Sequence, residues 1–397
     1  MLTFYGVGTI VGGGFYALVG EVAGCAGMHT PIAFLVASTI ALFSALSYAE
    51  LSARYPYSAG ESYYVMAAFR QSWLSTTVGW LVIATGVVSA ATLANAFAIF
   101  LHSLVPLPTT LTIIVLVVSL AALCVWGIGE SVLFAAVITV IEVGGLLFVI
   151  AVAGDNLSAL PNRMGQLLPS LQLADWLGIL LGGYLAFYSF VGFEDMVNVA
   201  EEVQRPQRNL PLAIMLALGL TSVLYVVVTL VAVTTVSPQD LAATGTPLSL
   251  VVGGGRAATA LSLIGLLAGI NGALVQIVMA SRVAYGMGRK GQGPAIFARV
   301  NRRTQTPIEA TIAAAICVLL IAIVFPLVTL AKITSAVLLT VYALVNLALW
   351  TIKRRDQPAP ANCPAYPDWV PAVGFSLCTL FVVFQACWTI SDWIGTR

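Results

Sequence analysis

Apolar runs long enough to cross a bilayer recur from one end of the chain to the other, separated by short polar stretches. Eleven such segments can be drawn, at roughly 2–23, 31–53, 74–101, 110–128, 131–154, 175–200, 210–236, 257–288, 308–326, 329–352 and 369–391. A span of about 20 apolar residues covers the ~30 Å hydrocarbon core, so the pattern predicts an all-α polytopic membrane protein. The short polar stretches carry the basic residues unevenly. With the N-terminus in the cytoplasm, Arg54, Arg70, Arg205, Arg208, Arg282, Arg289, Lys290, Arg299, Arg302, Arg303, Lys353, Arg354 and Arg355 fall on the inner side. Arg163, Arg256, Lys332 and Arg397 fall toward the outer side. That asymmetry orients the chain and checks the segment count, because one miscounted span would scramble every later loop.

Composition agrees: 60% of the 397 residues are hydrophobic and 8% are charged, against about 25% charged in soluble domains. Net charge is near zero and no basic run occurs, which argues against nucleic acid as a partner. The first run lacks the basic leader and polar sequel of a cleaved signal peptide. Cys25, Cys124, Cys317, Cys363, Cys378 and Cys387 show no C-x-x-C spacing. They are expected to act as small buried hydrophobes rather than as a disulfide or metal framework. No metal site or cofactor is expected.

Within the first segment, Gly6-Val7-Gly8-Thr9-Ile10-Val11-Gly12-Gly13-Gly14-Phe15-Tyr16-Ala17-Leu18-Val19-Gly20 cannot sustain a strong helix. Each interior glycine costs about 0.8–1 kcal/mol of helix propensity. Two readings fit. The backbone at Gly12 to Gly14 unwinds and lines a wet cavity, as in transporters with broken helices. Alternatively, Gly8 and Gly12 give a close helix contact with small-xxx-small spacing.

Three later segments carry polar groups at depth. Glu142, in Val137-Ile138-Thr139-Val140-Ile141-Glu142-Val143-Gly144-Gly145, sits near the middle of the fifth segment. Burial disfavours a charged carboxyl, so such a group either loads and releases a proton or stays neutral and donates one hydrogen bond. The sixth segment contains Tyr188-Ser189-Phe190-Val191-Gly192-Phe193-Glu194-Asp195, a second glycine interruption. Glu194 and Asp195 either bind a cation or tie the inner half of that segment to neighbouring backbone and basic groups, the second being the more general fate of buried charges. Asn271, mid-way along the eighth segment, fits a packing hydrogen bond or an ion site equally. The stretch Tyr55-Pro56-Tyr57-Ser58-Ala59-Gly60-Glu61-Ser62-Tyr63-Tyr64 reads as an interfacial connector, with helix-stopping proline and glycine and interface-loving tyrosines.

The order of the segments hints at a repeat. The third and eighth are the longest, and the first and sixth carry the glycine interruptions. Each pair is five apart, and an odd number of helices per half gives inverted topology.

These stretches resemble the amino acid–polyamine–organocation (APC) transporters, which have the LeuT-type fold. GVGTIVGGGFYALVG is similar to the family's glycine-rich first segment. FYSFVGFEDMVNVAEEVQRPQRNLP is similar to its sixth segment and following loop, and SRVAYGMGRKGQGPAIFARVNRRTQTPIEA to its eighth-segment exit. YPYSAGESYYV is a weaker match. The resemblance implies a five-plus-five inverted repeat in one transmembrane domain over 1–397. Repeat one would run over about 1–154, repeat two over about 175–352, with an extra helix at about 369–391. Helices one and six would be discontinuous. It implies that backbone amides of Gly12, Gly13 and Gly14 bind the substrate carboxylate. Carbonyls of Ile10, Tyr188, Ser189 and Val191 would bind the ammonium, and Phe190 would line the pocket or its gate. Helix N-termini favour anions and exposed carbonyls favour cations, which suits a zwitterion.

Two departures from the family stand out. Several proton-dependent relatives carry a lysine where this chain has Glu142. Met1 also lies inside the first segment: Leu2 to Val7 give about 9 Å of helix at ~1.5 Å per residue, short of the inner interface, so the natural start is expected upstream.

The combined expectation is a secondary transporter for amino acids, neutral ones favoured, in the cell membrane, with the proton as coupling ion at Glu142. Exchange without net coupling, sodium coupling and a non-transporting sensor are the alternatives. A membrane enzyme would need a catalytic His, and His29 and His102 both lie near outer segment ends. No G-x-x-x-x-G-K-[ST] motif marks a primary pump.

Overall fold

The computed structural model describes residues 2–57, 60–127, 132–355, 360 and 363–395. Ser58, Ala59, residues 128–131, Arg397 and Met1, used in the sequence reading above, lie outside them. The described chain is helical throughout. Its helices are α1 (Leu2–Ile10), α2 (Gly13–Ala26), α3 (Thr30–Arg54), α4 (Gly60–Phe69), α5 (Ser72–Leu104), α6 (Thr109–Trp126), α7 (Val132–Ala153) and α8 (Leu160–Leu167). They continue as α9 (Leu173–Phe187), α10 (Pro206–Thr235), α11 (Pro238–Ala242), α12 (Pro247–Val251), α13 (Gly255–Arg289), α14 (Ile308–Val324), α15 (Leu327–Arg354) and α16 (Trp369–Gly395).

Among the described residues, nine helical stretches are long and apolar enough to cross a membrane. One of them, Gly13–Arg54, has 42 residues. At about 1.5 Å per residue that is twice a bilayer's depth. Gly27, with φ 57°, turns the chain within it, so α2 and α3 run as two spans back to back. α14 is shorter, at 17 residues, and as apolar as its neighbours. The outward faces of α10 (Leu212, Leu216, Leu220, Val223) and α14 (Ile312, Ile316, Leu320, Ile323) are exposed leucine, valine and isoleucine at helical spacing. Such stripes face lipid rather than water. The chain is a multi-pass membrane protein.

The longest helices, α5 and α13, pack along each other through glycines. A side chain at Gly79 would strike Met287, and one at Gly86 would stand 3.2 Å from the Gln276 carbonyl. With α6 and α14 they form one apolar cluster. The other gathers α1, α2, α3, α9, α10 and α15. A buried ion cluster closes the end that carries most of the basic residues. Glu50 of α3, fully buried, accepts from Arg54 at 2.7 Å and from Lys353 of α15 at 2.9 Å, and also takes the backbone N–H of Tyr366 at 3.0 Å.

Three sequence expectations change. The stretch after the second segment is not only a connector, because Gly60–Phe69 forms α4, wedged between α5 and α15. Cys124 and Cys378 are buried, but Cys25, Cys317 and Cys387 are exposed, since an apolar face in a membrane protein can point at lipid. All six thiols are free. In the first segment the chain leaves helical geometry only at Val11 and Gly12. Gly13 and Gly14 already belong to the first turn of α2.

Candidate functional site

Two interruptions meet at the centre of the bundle. α1 ends at Ile10, Gly12 is extended (φ −117°, ψ −172°), and α2 starts at Gly13. In the second, α9 ends at Phe187, a 3-10 turn covers Tyr188–Phe190, and Gly192 sits at φ 125°. The chain then continues as a 3-10 helix, Glu194–Glu202. Gly192 is where a glycine is required twice over. Its φ lies where side chains are strained, and a Cβ there would be driven into the Thr9 carbonyl and within 3.1 Å of the Ile10 nitrogen. The two breaks therefore touch backbone to backbone.

A small cavity of about 30 Å³ lies at this contact, lined among others by Thr9, Ile10, Gly12, Gly14, Ser89, Tyr188, Ser189, Val191, Asn271 and Gln276. None of its wall residues is acidic or basic. Nothing lies within 4 Å of a Cβ built at Gly12. The first N–H groups of α2, at Gly13 and Gly14, have no acceptor within the helix and carry its partial positive charge.

Of the expected residues, the structure brings Ile10, Gly12, Gly14, Tyr188, Ser189 and Val191 to the cavity wall. Gly13 is not on the wall: a Cβ there would stand 3.2 Å from the Gly269 backbone and 3.3 Å from Leu93. Phe190 is also off the wall. It stands edge-on to Tyr225 at 5.4 Å, within a cluster in which Phe15 stacks on Tyr225 at 4.0 Å and Phe34 meets both. This cluster is buried and follows α2 away from the basic end of the bundle.

Several of the expected ligand atoms are already engaged. Ile10 carbonyl accepts from Gly12 N–H at 2.9 Å and from the Tyr225 hydroxyl at 2.9 Å. The same hydroxyl lies 3.1 Å from the Ser189 carbonyl, so one tyrosine bridges the two breaks. Tyr188 carbonyl accepts Val191 N–H at 3.1 Å. The Tyr188 ring covers Gly14, where a Cβ would stand 2.6 Å from it, and its hydroxyl shares a 3.1 Å hydrogen bond with Ser89. Two buried wall atoms, Ser189 Oγ and Asn271 Oδ1, have no hydrogen-bond partner among the described residues.

Glu194 and Asp195 tie down the second break, as the more general of the two sequence readings held. Glu194 Oε2 accepts the Gly192 N–H at 2.9 Å and the Tyr342 hydroxyl at 2.7 Å. Asp195 accepts from Gln276 at 2.9 Å. Sequence reasoning missed Tyr225, Tyr342, Ser89 and Gln276. The available signal was faint: a polar side chain inside an otherwise apolar helical run.

Glu142 is fully buried behind the first break, off the cavity wall. One turn before it, Thr139 abuts Gly8; one turn after, Gly145 faces the Tyr16 hydroxyl, which donates to the Glu142 carbonyl at 2.5 Å. His29 faces Asp175 at 3.7 Å, and His102 contacts the Leu107 carbonyl at 3.1 Å, both away from the breaks.

Sequence comparison shows the family. The model of the family described as "Amino acid permease" matches residues 1–392. The chain belongs to the amino acid permease family. It is 32% identical over 388 residues to the mitochondrial cationic amino acid transporter 3 of Arabidopsis thaliana, covering 91% of this chain and 62% of that protein. The chain thus spans less than two thirds of the plant relatives it matches. It is 27% identical to the branched-chain amino acid permease BcaP of Bacillus subtilis, over 98% of this chain and 87% of that one. It is 26% identical to the methylthioribose transporter of the same organism, over 96% and 86%. The membership fits the APC resemblance read from the glycine-rich and sixth-segment motifs.

Proposed function

We propose that this chain is a secondary transporter that moves amino acids across a membrane by alternating access, without chemically changing them. The observation that carries this reading is the meeting of two helix breaks at a small cavity that is sealed on one side and approached from the other. The aromatic cluster of Phe15, Phe34, Phe190 and Tyr225 closes one side. On the other, a vestibule of about 1240 Å³ opens among α1, α4, α13 and the Glu194–Glu202 helix, and Val275 belongs to the walls of both spaces. With the basic residues in the cytoplasm, this is an inward-facing state.

The amides of Gly13 and Gly14, joined by Gly12 once it releases Ile10, would take the substrate carboxylate. The Ile10, Tyr188, Ser189 and Val191 carbonyls would take the ammonium, with Tyr225 yielding one of its two acceptors as the substrate arrives. Phe190 would act from the closed gate. The absence of acidic or basic groups from the cavity wall supports a neutral amino acid, as does the relative named for branched-chain substrates at 27% identity, whereas the relative at 32% is named for cationic ones. We place the protein in the cell membrane with its N-terminus inside. The proposed repeats are about 1–154 and 175–352, in inverted topology.

Glu142 is the proposed coupling-proton site. What supports it is a fully buried carboxyl on the helix whose Thr139 packs against Gly8 of α1 and whose Gly145 packs against Tyr16 of α2, so that a change in its protonation can be felt by both. The test is uptake of a panel of radiolabelled amino acids into proteoliposomes, with and without an imposed pH gradient. Neutral substrates should accumulate with the gradient, and Glu142→Gln should lose gradient-driven uptake while retaining exchange. Sodium-driven accumulation, or unchanged pH dependence in the variant, would overturn the coupling assignment.

A further inference from the structure

Glu61 is the first acidic residue of α4, outside the membrane-spanning helices, and it lines the vestibule while its side chain is buried. It makes no ion pair among the described residues. One carboxyl oxygen accepts the Tyr48 hydroxyl of α3 at 3.2 Å. Tyr48 stands edge-on to Tyr342 of α15 at 5.3 Å. Tyr342 in turn donates to Glu194, which holds Gly192 N–H at the second break. Two buried carboxyls thus flank one edge-to-face pair of tyrosines, each taking a hydrogen bond from the nearer hydroxyl.

The surroundings of Glu61 offer little to hold a negative charge. From its own helix comes Tyr64, fully buried, whose hydroxyl has no hydrogen-bond partner among the described residues. The Glu194–Glu202 helix brings Glu194, a like charge, and Asn198, whose Nδ2 is also unpartnered and whose Oδ1 lies against Gly60. α3 brings Tyr48 and α15 brings Tyr342. α5 brings Ser75, committed to the Ser62 carbonyl at 2.8 Å. The charged groups that share the vestibule are Glu201 and Glu202, at the end of the Glu194–Glu202 helix, and Arg282 and Lys290, at the end of α13. Burial pushes the Glu61 carboxyl up to about 7; its own backbone N–H opposes this, the like charge of Glu194 adds to it, and the Tyr48 hydrogen bond opposes it least.

We propose that Glu61 is a second proton-binding site, loaded from the vestibule and separate from Glu142, and that the Tyr48–Tyr342–Glu194 clasp passes its charge state to the second helix break. The physical basis is that two buried carboxyls joined through one pair of tyrosines, with no ion pair to Glu61 among the described residues, do not readily both ionise. With Glu61 protonated, Glu194 is free to stay ionised and to grip Gly192 N–H firmly. With Glu61 ionised, the pair repels across the tyrosines and the grip weakens. The proton comes from water in the vestibule and returns there, so no other reactant is involved. The orphan Tyr64 hydroxyl and Asn198 amide mark the polar niche through which that water reaches the carboxyl.

The test is an infrared titration of the purified, full-length protein in lipid, which needs no transport and so does not depend on the transport reading or on Glu142. Wild type should show the carbonyl band of a buried protonated carboxylic acid that disappears with a midpoint near pH 7. Glu61→Gln should remove that band, and Glu142→Gln should leave it in place. Tyr48→Phe, which deletes the hydrogen bond favouring the ionised form, should move the midpoint upward by about one pH unit. In proteoliposomes, the exchange rate should vary with vestibule-side pH over the same range in wild type and lose that variation in Glu61→Gln. If Glu61→Gln folds poorly, the Tyr48→Phe shift alone decides. A band midpoint unmoved by Tyr48→Phe, or retained in Glu61→Gln, would overturn the proposal.

Discussion

The two helix breaks look alike in outline and are held by opposite means. The first is two residues wide and stays open because side chains are missing: Gly12 faces empty space, Gly14 makes room for the Tyr188 ring, and Gly8 lets Thr139 approach. The second is a fifteen-residue passage, Tyr188–Glu202, that departs from α-helix and is fastened by side chains from elsewhere in the chain. Tyr225 reaches it from α10, Tyr342 from α15 through Glu194, and Gln276 from α13 through Asp195. The first break is thus a feature of local sequence, and the second is a feature of assembly. A transporter that rocks about such a centre would keep the short break as the ligand cradle. It would use the fastened one to transmit movement, because its fasteners lead to three separate helices.

That contrast can be broken most decisively at Gly192. Gly192→Ala combines a strained φ with a collision against the Thr9 carbonyl, so the breaks must part. Substrate binding measured by calorimetry should fall below detection, and a variant that still binds within a few-fold of wild type would show that the breaks need not touch. Gly14→Val comes next. A branched side chain there displaces the Tyr188 ring, and affinity should drop at least about tenfold, equivalent to ~1.4 kcal/mol, while the protein still inserts and purifies.

The fastened break has its own test. Tyr342→Phe leaves Glu194 buried with one hydrogen bond fewer, which costs about 1–3 kcal/mol for a buried acceptor. Thermal unfolding in detergent should show the loss, and Tyr225→Phe, which removes a neutral bridge, should cost less, about 0.5–1.5 kcal/mol. The smallest structural effect belongs to Gly12→Ala. With nothing within 4 Å of the new Cβ, thermal stability should be unchanged, yet the methyl group enters the cavity and should weaken binding several-fold. Loss of stability without loss of binding would mean that Gly12 is a packing residue, the other sequence reading of that stretch.

Membrane class, the order of the spans and the places where helix must fail were legible in the sequence, for local reasons. Hydrocarbon accepts only long apolar helices, and glycines grouped at Gly12–Gly14 and Gly192 weaken a helix wherever they stand. The two longest segments also proved to be the tightly paired α5 and α13. What the tertiary structure alone decided was the fate of each polar group at the breaks. Glu194 was readable as an acid at a glycine, but its partner Tyr342 lies 148 positions away. Tyr225 lies 215 positions from the Ile10 carbonyl it meets. Nor could the pattern reveal that Gly13 would turn toward Gly269, that Phe190 would leave the cavity for an aromatic cluster, or that Glu61 would be buried beside a second carboxyl. Periodicity and propensity act between residues a few positions apart. Hydrogen bonds and packing between helices depend on how those helices rotate and cross, which is settled only when the whole bundle closes.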